Sequence, residues 1–132
     1  MSVRTYAKRK LLLTGATGFV GRHLAAALDA TDWEVVRTTR NRAKAEQAGW
    51  AYLDVEDVAS IHPAMEGCDA AVYLIHSIDH SNDYPEREAR SATAFLEAAE
   101  AASLRRIVYV GGVAPASKPS RHLRSRLHTG EI

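Results

Sequence analysis

Short apolar runs alternate along the chain with longer segments in which apolar residues recur at helical spacing. Each run has the length and composition of a buried β-strand. Because helix-length segments separate the runs, we expect the strands to lie parallel in one sheet, joined by helical crossovers. Five strands are predicted, over residues 10–14, 34–39, 50–55, 70–75 and 106–110.

The first helical segment follows Gly18 and is expected to make about three turns. Its apolar residues recur at i, i+1, i+4, i+5, i+8 and i+9, which is typical of one face of a helix. We expect that face to be buried against the sheet. Its members are Phe19, Val20, His23, Leu24, Ala27 and Leu28.

Two short helices are predicted after the second and third strands. The first spans residues 41–48, with Asn41 as its N-cap and Gly49 at its end. The second spans residues 57–65 and has Asp57 as its candidate cap. A proline lies inside this second segment, so we expect it to be distorted or to begin late.

The longest helix is predicted to open at residues 82–85. Pro85 suits the first helical position, and Glu86 and Glu88 would interact favourably with the helix dipole in the first turn. Its apolar spacing predicts a core face, made of Ala89, Ala92, Phe95, Leu96, Ala99 and Ala102.

Five strands alternating with helices predict an α/β fold, a doubly wound parallel sheet covered on both faces. The expected strand order is 3-2-1-4-5, the layout of a nucleotide-binding (Rossmann) domain. Residues 1–132 are expected to form one such domain.

Composition restricts the class of protein further. The chain has 17 Lys and Arg, 16 Asp and Glu, and a single cysteine, Cys68. No apolar run is long enough to span a bilayer, so we expect a cytoplasmic protein without a membrane partner. Residues 105–132 are basic but lack interleaved aromatic residues, so we expect no nucleic-acid partner. The histidines and the cysteine lack zinc-ligand spacing, and no metal is expected.

The most informative segment is the loop after the first strand, Thr14-Gly15-Ala16-Thr17-Gly18-Phe19-Val20-Gly21. Gly15 permits the tight turn out of the strand, Gly18 lacks a Cβ that would block a pyrophosphate, and Gly21 lets the helix pack closely on the sheet. The free N–H groups of the first helical turn would face the anion. Thr17, Phe19 and Val20 complete this predicted dinucleotide-binding loop.

The segment TGATGFVG resembles the cofactor loop of extended and atypical short-chain dehydrogenases/reductases, including the NmrA-like and sugar-epimerase-related branches. Three later segments resemble the same superfamily, at residues 65–77, 105–113 and 122–132. The resemblance implies that Asp54 and Val55, at the end of the third strand, contact the adenine amino group. Leu74 and His76, at the end of the fourth strand, are also predicted to line the cofactor, because open α/β sheets bind ligands at that edge.

The end of the second strand indicates which nicotinamide nucleotide is preferred. An NAD site would place a carboxylate there, about 20 residues after the glycine loop, to hold the ribose 2′-OH. This chain instead has Arg37 and Arg40, followed by Arg42 and Lys44. A guanidinium can hold a 2′-phosphate bidentately. Arg40 is therefore predicted to favour NADP(H) over NAD(H), whereas Arg37 could point to the opposite face. The alternative is a solvated basic turn.

Catalytic residues are harder to assign. The family resemblance implies a Tyr-x-x-x-Lys pair, but His122 and Arg126 stand at those positions. His122 could move a proton near neutral pH, and Arg126 could hold ribose or phosphate. His76 and Ser77 follow the fourth strand, at the edge where open α/β sheets bind ligands. These four residues are the candidate catalytic residues.

Three functions are compatible with these residues. The resemblance implies the NADP(H)-binding domain of an oxidoreductase that transfers hydride to a small carbonyl or enone compound. The replaced Tyr and Lys favour a non-catalytic NAD(P)-sensing module with a regulatory protein partner. The relatives implied by the resemblance continue into a C-terminal substrate lobe that this chain lacks, so a shortened fragment that binds weakly is a third possibility. An oligomer is possible, and the substrate is not specified.

Overall fold

The computed structural model describes residues 9–74 and 84–110. Along the chain, strands and helices alternate as the apolar pattern predicts. The strands are β1 Lys10–Leu13, β2 Glu34–Thr39, β3 Ala51–Tyr52, β4 Ala70–Tyr73 and β5 Arg106–Tyr109. The helices are α1 Phe19–Asp29, α2 Arg42–Ala48, α3 Ile61–Met65 and α4 Tyr84–Ala101, and a 3₁₀ turn Val58–Ser60 leads directly into α3.

All neighbouring strands pair in parallel, in the order β3-β2-β1-β4-β5. Leu12 of β1 lies at the centre, opposite Val36 of β2 and Ala71 of β4. The sheet grows in one direction from β1 to β3 and in the other direction from β4 to β5. The crevice where open α/β sheets bind ligands therefore lies between the carboxyl ends of β1 and β4. The predicted doubly wound Rossmann fold is confirmed.

Both faces of the sheet are covered. The larger apolar cluster lies between the sheet and α3 and α4, and contains Leu12, Ile61, Met65, Tyr73 and Phe95. The smaller cluster lies between the opposite face and α1, where Leu11, Leu13 and Val72 pack against Ala25. Alternate residues of β1 therefore serve the two cores, as the pleat of a strand requires.

The packed face of α1 differs from the predicted one. Phe19 and Val20 are 70% and 52% exposed, and His23 and Ala27 are also exposed. The buried residues are Gly21 and Ala25, flanked by the partly buried Leu24 and Leu28. The small side chains let the helix approach closely, so close packing selects a face that a count of large apolar residues misses.

The segment after β2 follows the sequence closely until β3 ends early. Asn41 caps α2 by accepting a hydrogen bond from the Lys44 amide, and Gly49 ends it with φ of 68°. The strand predicted over residues 50–55 is reduced to Ala51–Tyr52, although the Leu53 amide still bonds Thr39. The next backbone amide, that of Asp54, donates instead to the Ser60 hydroxyl at 2.9 Å.

The predicted helix over residues 57–65 forms as a 3₁₀ turn followed by one short α-helix that contains Pro63. Asp57 precedes it without a side-chain cap. Its carboxylate instead binds Tyr52 and Arg42, so the prediction that Asp57 acts as a cap is wrong. Residue 75 of the predicted fourth strand lies outside the described residues.

Helix α4 buries the central residues of its predicted face. Ala92, Phe95 and Ala99 are buried, whereas Ala89, Leu96 and Ala102 are partly buried. Glu88, predicted to interact with the helix dipole in the first turn, is only 1% exposed. Among the described helices, none is long and apolar enough to cross a membrane.

Candidate functional site

The candidate site lies at the carboxyl ends of β1 and β4, where the strand order reverses. Thr14 follows β1 and is fully buried. Its hydroxyl donates to the Val72 carbonyl at 3.0 Å and accepts from the Leu74 amide at 2.9 Å. The Thr14 amide also donates to Val72, at 3.1 Å. One side chain therefore ties β1 to β4 directly below the crevice.

Gly15 makes the turn out of β1. Its φ is +66°, in the left-handed region that favours glycine. A Cβ on Gly15 would stand 3.0 Å from the Cβ of Leu74. The Gly15 carbonyl accepts a hydrogen bond from the Gly18 amide at 3.1 Å, which closes the loop.

Gly21 allows α1 to approach that loop. A Cβ on Gly21 would stand 2.0 Å from the carbonyl oxygen of Gly15 and 2.9 Å from the Cα of Ala16. These are backbone atoms and cannot rotate aside. The predicted close contact therefore exists, but it is made with the backbone of the loop rather than with the sheet.

Gly18 is the N-cap of α1, with φ of −79° and ψ of 174°. Among residues 9–74 and 84–110, a Cβ on Gly18 would meet only the Gly15 carbonyl oxygen, at 3.5 Å. No side chain in the described part of the protein caps the helix, and no acidic residue lies in its first turn. The amides of its first turn have no intrahelical acceptor. Open space, free N–H groups and the helix dipole are the features that accommodate a phosphate.

The exposed side chains of Thr17, Phe19 and Val20 surround this helix terminus. The Phe19 ring packs against the His23 ring at a tilt of 41°, with a centroid separation of 4.3 Å, and the Nδ1 of His23 lies 2.8 Å from the Phe19 carbonyl oxygen. A carbonyl oxygen can only accept, so this nitrogen carries the proton in that contact.

The arginines near the end of β2 have different partners. Arg37 pairs with Asp29 of α1 at 2.6 Å, on the face opposite α4. Arg42 pairs with Asp57 at 3.3 Å. Arg40, immediately after β2, is exposed and forms no ion pair with any residue in the described ranges. Of these three guanidiniums, that of Arg40 is the one without a carboxylate partner among the described residues.

The residues after β3 lie in a tight turn rather than at a strand end. The Asp54 side chain accepts from the Glu56 amide at 3.0 Å, and Val55 is buried in the larger core. Ser60 accepts from the backbone amide of Asp54. Asp54 remains partly accessible, whereas the Val55 side chain does not reach the surface of the crevice.

Tyr52 completes the corner beside this turn. Its hydroxyl donates to Asp57 at 3.2 Å, and its ring lies 3.9 Å below the guanidinium carbon of Arg42. Desolvation, and then the hydrogen bond to Asp57, raise the pKa of the Tyr52 hydroxyl, so the phenol stays neutral.

Cys68 and two tyrosines, Tyr73 and Tyr109, lie in environments that indicate a role in packing. The Cys68 thiol is buried, and desolvation raises its pKa, which disfavours the nucleophilic thiolate. Tyr73 and Tyr109 pack against the larger core, as their positions within strands predict. In residues 9–74 and 84–110, no cluster of His, Cys, Asp or Glu could hold a metal ion.

The catalytic candidates His76, Ser77, His122 and Arg126 lie outside the described residues. Their roles stay predictions. Thr14 was missed as a site residue although it opens the TGATGFVG segment, because the sequence argument concerned the backbone freedom of the glycines. The signal that could have found it is its buried position beside the strand where the sheet reverses.

Comparison with known proteins agrees with this geometry. The family model described as NAD(P)H-binding matches residues 15–129. Since this match spans most of the chain, the protein belongs to that NAD(P)H-binding family. No curated protein matches the chain in sequence.

Several solved structures share the fold. One is a short-chain dehydrogenase/reductase superfamily protein from Agrobacterium tumefaciens with bound NAD (TM-score 0.72, 22% identity, 93% of this chain and 43% of that chain). Another is the Citrobacter sp. triphenylmethane reductase complexed with NADP(H) (TM-score 0.72, 22% identity, 92% and 44%). A third is an NADPH-dependent quinone oxidoreductase from Escherichia coli complexed with NADPH (TM-score 0.71, 22% identity, 92% and 43%).

This chain spans less than half the length of these three proteins. At such identities the likeness shows the fold. It agrees with the resemblance of the TGATGFVG loop to short-chain dehydrogenases/reductases. Assignment to the NmrA-like branch stays a prediction.

Proposed function

We propose that residues 1–132 form one NAD(P)H-binding domain that prefers NADP(H) to NAD(H). The observation that carries the preference is Arg40. It follows β2 directly and is exposed, while its neighbours Arg37 and Arg42 are held by Asp29 and Asp57. The ribose 2′ position of a dinucleotide lies beside the end of the second strand in this fold. A free guanidinium there supports binding of a 2′-phosphate.

The glycine loop indicates where the other parts of the dinucleotide would lie. The pyrophosphate would lie against Gly18 and the first-turn amides of α1, including those of Phe19 and Val20. Gly15 and Gly21 hold the loop in shape. Asp54 and the backbone of Val55 would face the adenine, and Leu74 would face the middle of the crevice. His76, which follows it, stays a predicted contact.

In the complete protein, the proposed activity is hydride transfer from NADPH to a small carbonyl or enone compound. The cofactor supplies the hydride, and this domain binds and orients it. The fold is shared with an NADPH-dependent quinone oxidoreductase and with a triphenylmethane reductase complexed with NADP(H), which supports this class of reaction. The cytoplasmic location expected from the sequence stays a prediction.

The cofactor preference is tested by calorimetric titration of the chain with NADPH and NADH. Arg40→Gln should weaken NADPH binding by roughly 10- to 100-fold, the effect of losing a charge-assisted hydrogen bond. NADH binding should change little. Arg37→Gln is the matched control, because its guanidinium is held by Asp29. An unchanged NADPH-to-NADH ratio in Arg40→Gln would refute the preference.

A second candidate is a non-catalytic NAD(P)-sensing module. The observation that favours it is the presence of His122 and Arg126 at the positions of the Tyr and Lys implied by the family resemblance. A turnover assay with aldehydes and quinones separates the two functions. NADPH oxidation that is lost in His122→Ala supports the enzyme. Tight NADPH binding without turnover supports the sensor.

A further inference from the structure

A three-residue cluster joins the two turns at the outer corner of the sheet. The guanidinium carbon of Arg42, the first residue of α2, lies 3.9 Å from the ring centroid of Tyr52. The Asp57 carboxylate receives hydrogen bonds from both residues, from Arg42 at 3.3 Å and from the Tyr52 hydroxyl at 3.2 Å. The guanidinium is therefore fixed by a ring beneath it and an anion at its edge.

The cluster lies at the carboxyl edge, on the β2 side of the crevice. Tyr52 pairs with Thr39, the last residue of β2, and the next residue, Leu53, donates its amide to the Thr39 carbonyl. Asp57 closes the turn after β3 by donating its amide to the Asp54 carbonyl at 2.9 Å. Arg42 and Asp57 thus connect the segments that follow β2 and β3.

The Arg42 side chain is 73% exposed even though it is anchored by two residues. Tyr52 contacts the guanidinium from one side, and the exposure of the side chain leaves the rest of the group to solvent. Its positive charge is partly neutralised by Asp57, which reduces its attraction for a phosphate. What remains is a flat, weakly hydrated surface, and guanidinium planes stack readily on aromatic rings.

We propose that Arg42 is a stacking platform for the purine base of the bound dinucleotide, positioned by Tyr52 and Asp57. This assignment rests on the proposed dinucleotide binding and divides the roles of two arginines. Arg40 binds the 2′-phosphate, which only NADP(H) carries. Arg42 packs on the base, which both dinucleotides carry. Tyr52 and Asp57 are positioning residues, because they act through the guanidinium.

Calorimetric titration of the full chain with NADH and NADPH tests this division. Arg42→Ala should weaken the binding of both nucleotides by the same factor, about tenfold, which is the effect expected for losing one stacking contact. Arg42→Lys keeps the charge but loses the plane, and should weaken both nearly as much. Arg90→Ala, at an exposed arginine of α4, is the matched control and should leave both affinities unchanged.

A double variant distinguishes the loss of the stacking contact from repulsion of the ligand by Asp57. Arg42→Ala leaves the Asp57 carboxylate without its cationic partner, and its negative charge would by itself repel an anionic ligand. Arg42→Ala combined with Asp57→Asn eliminates that charge, and the loss of affinity should persist. Thermal unfolding of each variant verifies that the fold is retained.

The possible outcomes separate this proposal from the preference for NADP(H). The platform is refuted if Arg42→Lys binds both nucleotides normally, if only NADPH is weakened, or if the double variant recovers full affinity. Equal losses in the Arg42 variants, with no change of ratio in Arg40→Gln, would support the platform and refute the role of Arg40. If the chain bound neither nucleotide, both proposals would fail.

Discussion

The Leu74 amide donates a hydrogen bond to the Thr14 hydroxyl at 2.9 Å, across the gap between the ends of β4 and β1. The same hydroxyl donates to Val72 at 3.0 Å. Thr14 thus extends the pairing of the two strands by one step beyond their last paired residues. The turn at Gly15 begins from this fixed point, so the position of the glycine loop depends on the threonine.

Replacing Thr14 with valine should therefore destabilise the domain. Valine has nearly the same shape but leaves the Leu74 amide and the Val72 carbonyl without the hydroxyl, which costs about 1–3 kcal/mol. Urea unfolding measures the loss. Thr93→Val, at an exposed threonine of α4, is the matched control and should fall within about 0.5 kcal/mol of wild type. Equal stability of the two variants would contradict the structural role of Thr14.

Gly18 and Gly21 should respond differently to the same substitution. Gly21→Ala forces a Cβ against the Gly15 carbonyl and should cost about 1–3 kcal/mol or more, by overpacking. Gly18→Ala adds a Cβ that makes only an ordinary van der Waals contact with the Gly15 carbonyl oxygen, and should change stability by less than about 1 kcal/mol.

For Gly18→Ala, NADPH binding should change more than stability does. Its added methyl group occupies the space proposed for the pyrophosphate, so Gly18→Ala should lose at least about tenfold in NADPH affinity, roughly 1.4 kcal/mol. Urea unfolding and calorimetry on the same samples give both quantities. A Gly18→Ala variant that binds NADPH like wild type would exclude this location of the pyrophosphate.

The phenol of Tyr73 predicts a specific alkaline behaviour. Burial, then the nearby Glu88 and Tyr109, raise the pKa of this hydroxyl above its usual value of 10.0. Below about pH 10 the phenol is protonated in both the folded and the unfolded chain, so its titration leaves stability unchanged there. As pH rises above the pKa of the unfolded chain, the unfolded chain loses this proton first, and the stability of the fold decreases.

The test compares wild type with Tyr73→Phe. Above about pH 10, the stability of wild type should fall more steeply, by up to about 1.4 kcal/mol per pH unit for one proton. At neutral pH, Tyr73→Phe should be as stable as wild type or slightly more stable, because the buried hydroxyl has no hydrogen-bond partner in the described part of the chain. Parallel alkaline slopes for the two proteins would argue against a buried neutral phenol.

Much of the fold could be predicted from the apolar pattern and the glycines. The run at residues 34–39 matches β2, and Asn41 and Gly49 cap and end α2 as their residue types indicate. These features are local, because each depends on the preferences of a few adjacent residues. The sheet order follows from the alternation of strands and helices.

What the sequence did not reveal depends on tertiary contacts. The face of α1 is selected by the approach of Gly21 to the backbone of Gly15, which no pattern of large apolar residues records. Asp57 leaves its predicted capping role because Arg42 and Tyr52 bind its carboxylate. Such partners are distant in the chain, and only folding brings them together.

The central claim is that the N-terminus of α1 binds the pyrophosphate of a nicotinamide dinucleotide. Amide ¹H–¹⁵N correlation spectra of the ¹⁵N-labelled chain, recorded during titration with NADPH, test it most directly. We expect saturable shifts that are largest for the amides of Gly18, Phe19, Val20 and Gly21. Saturable binding whose largest shifts fall elsewhere, with these four amides unmoved, would contradict the claim.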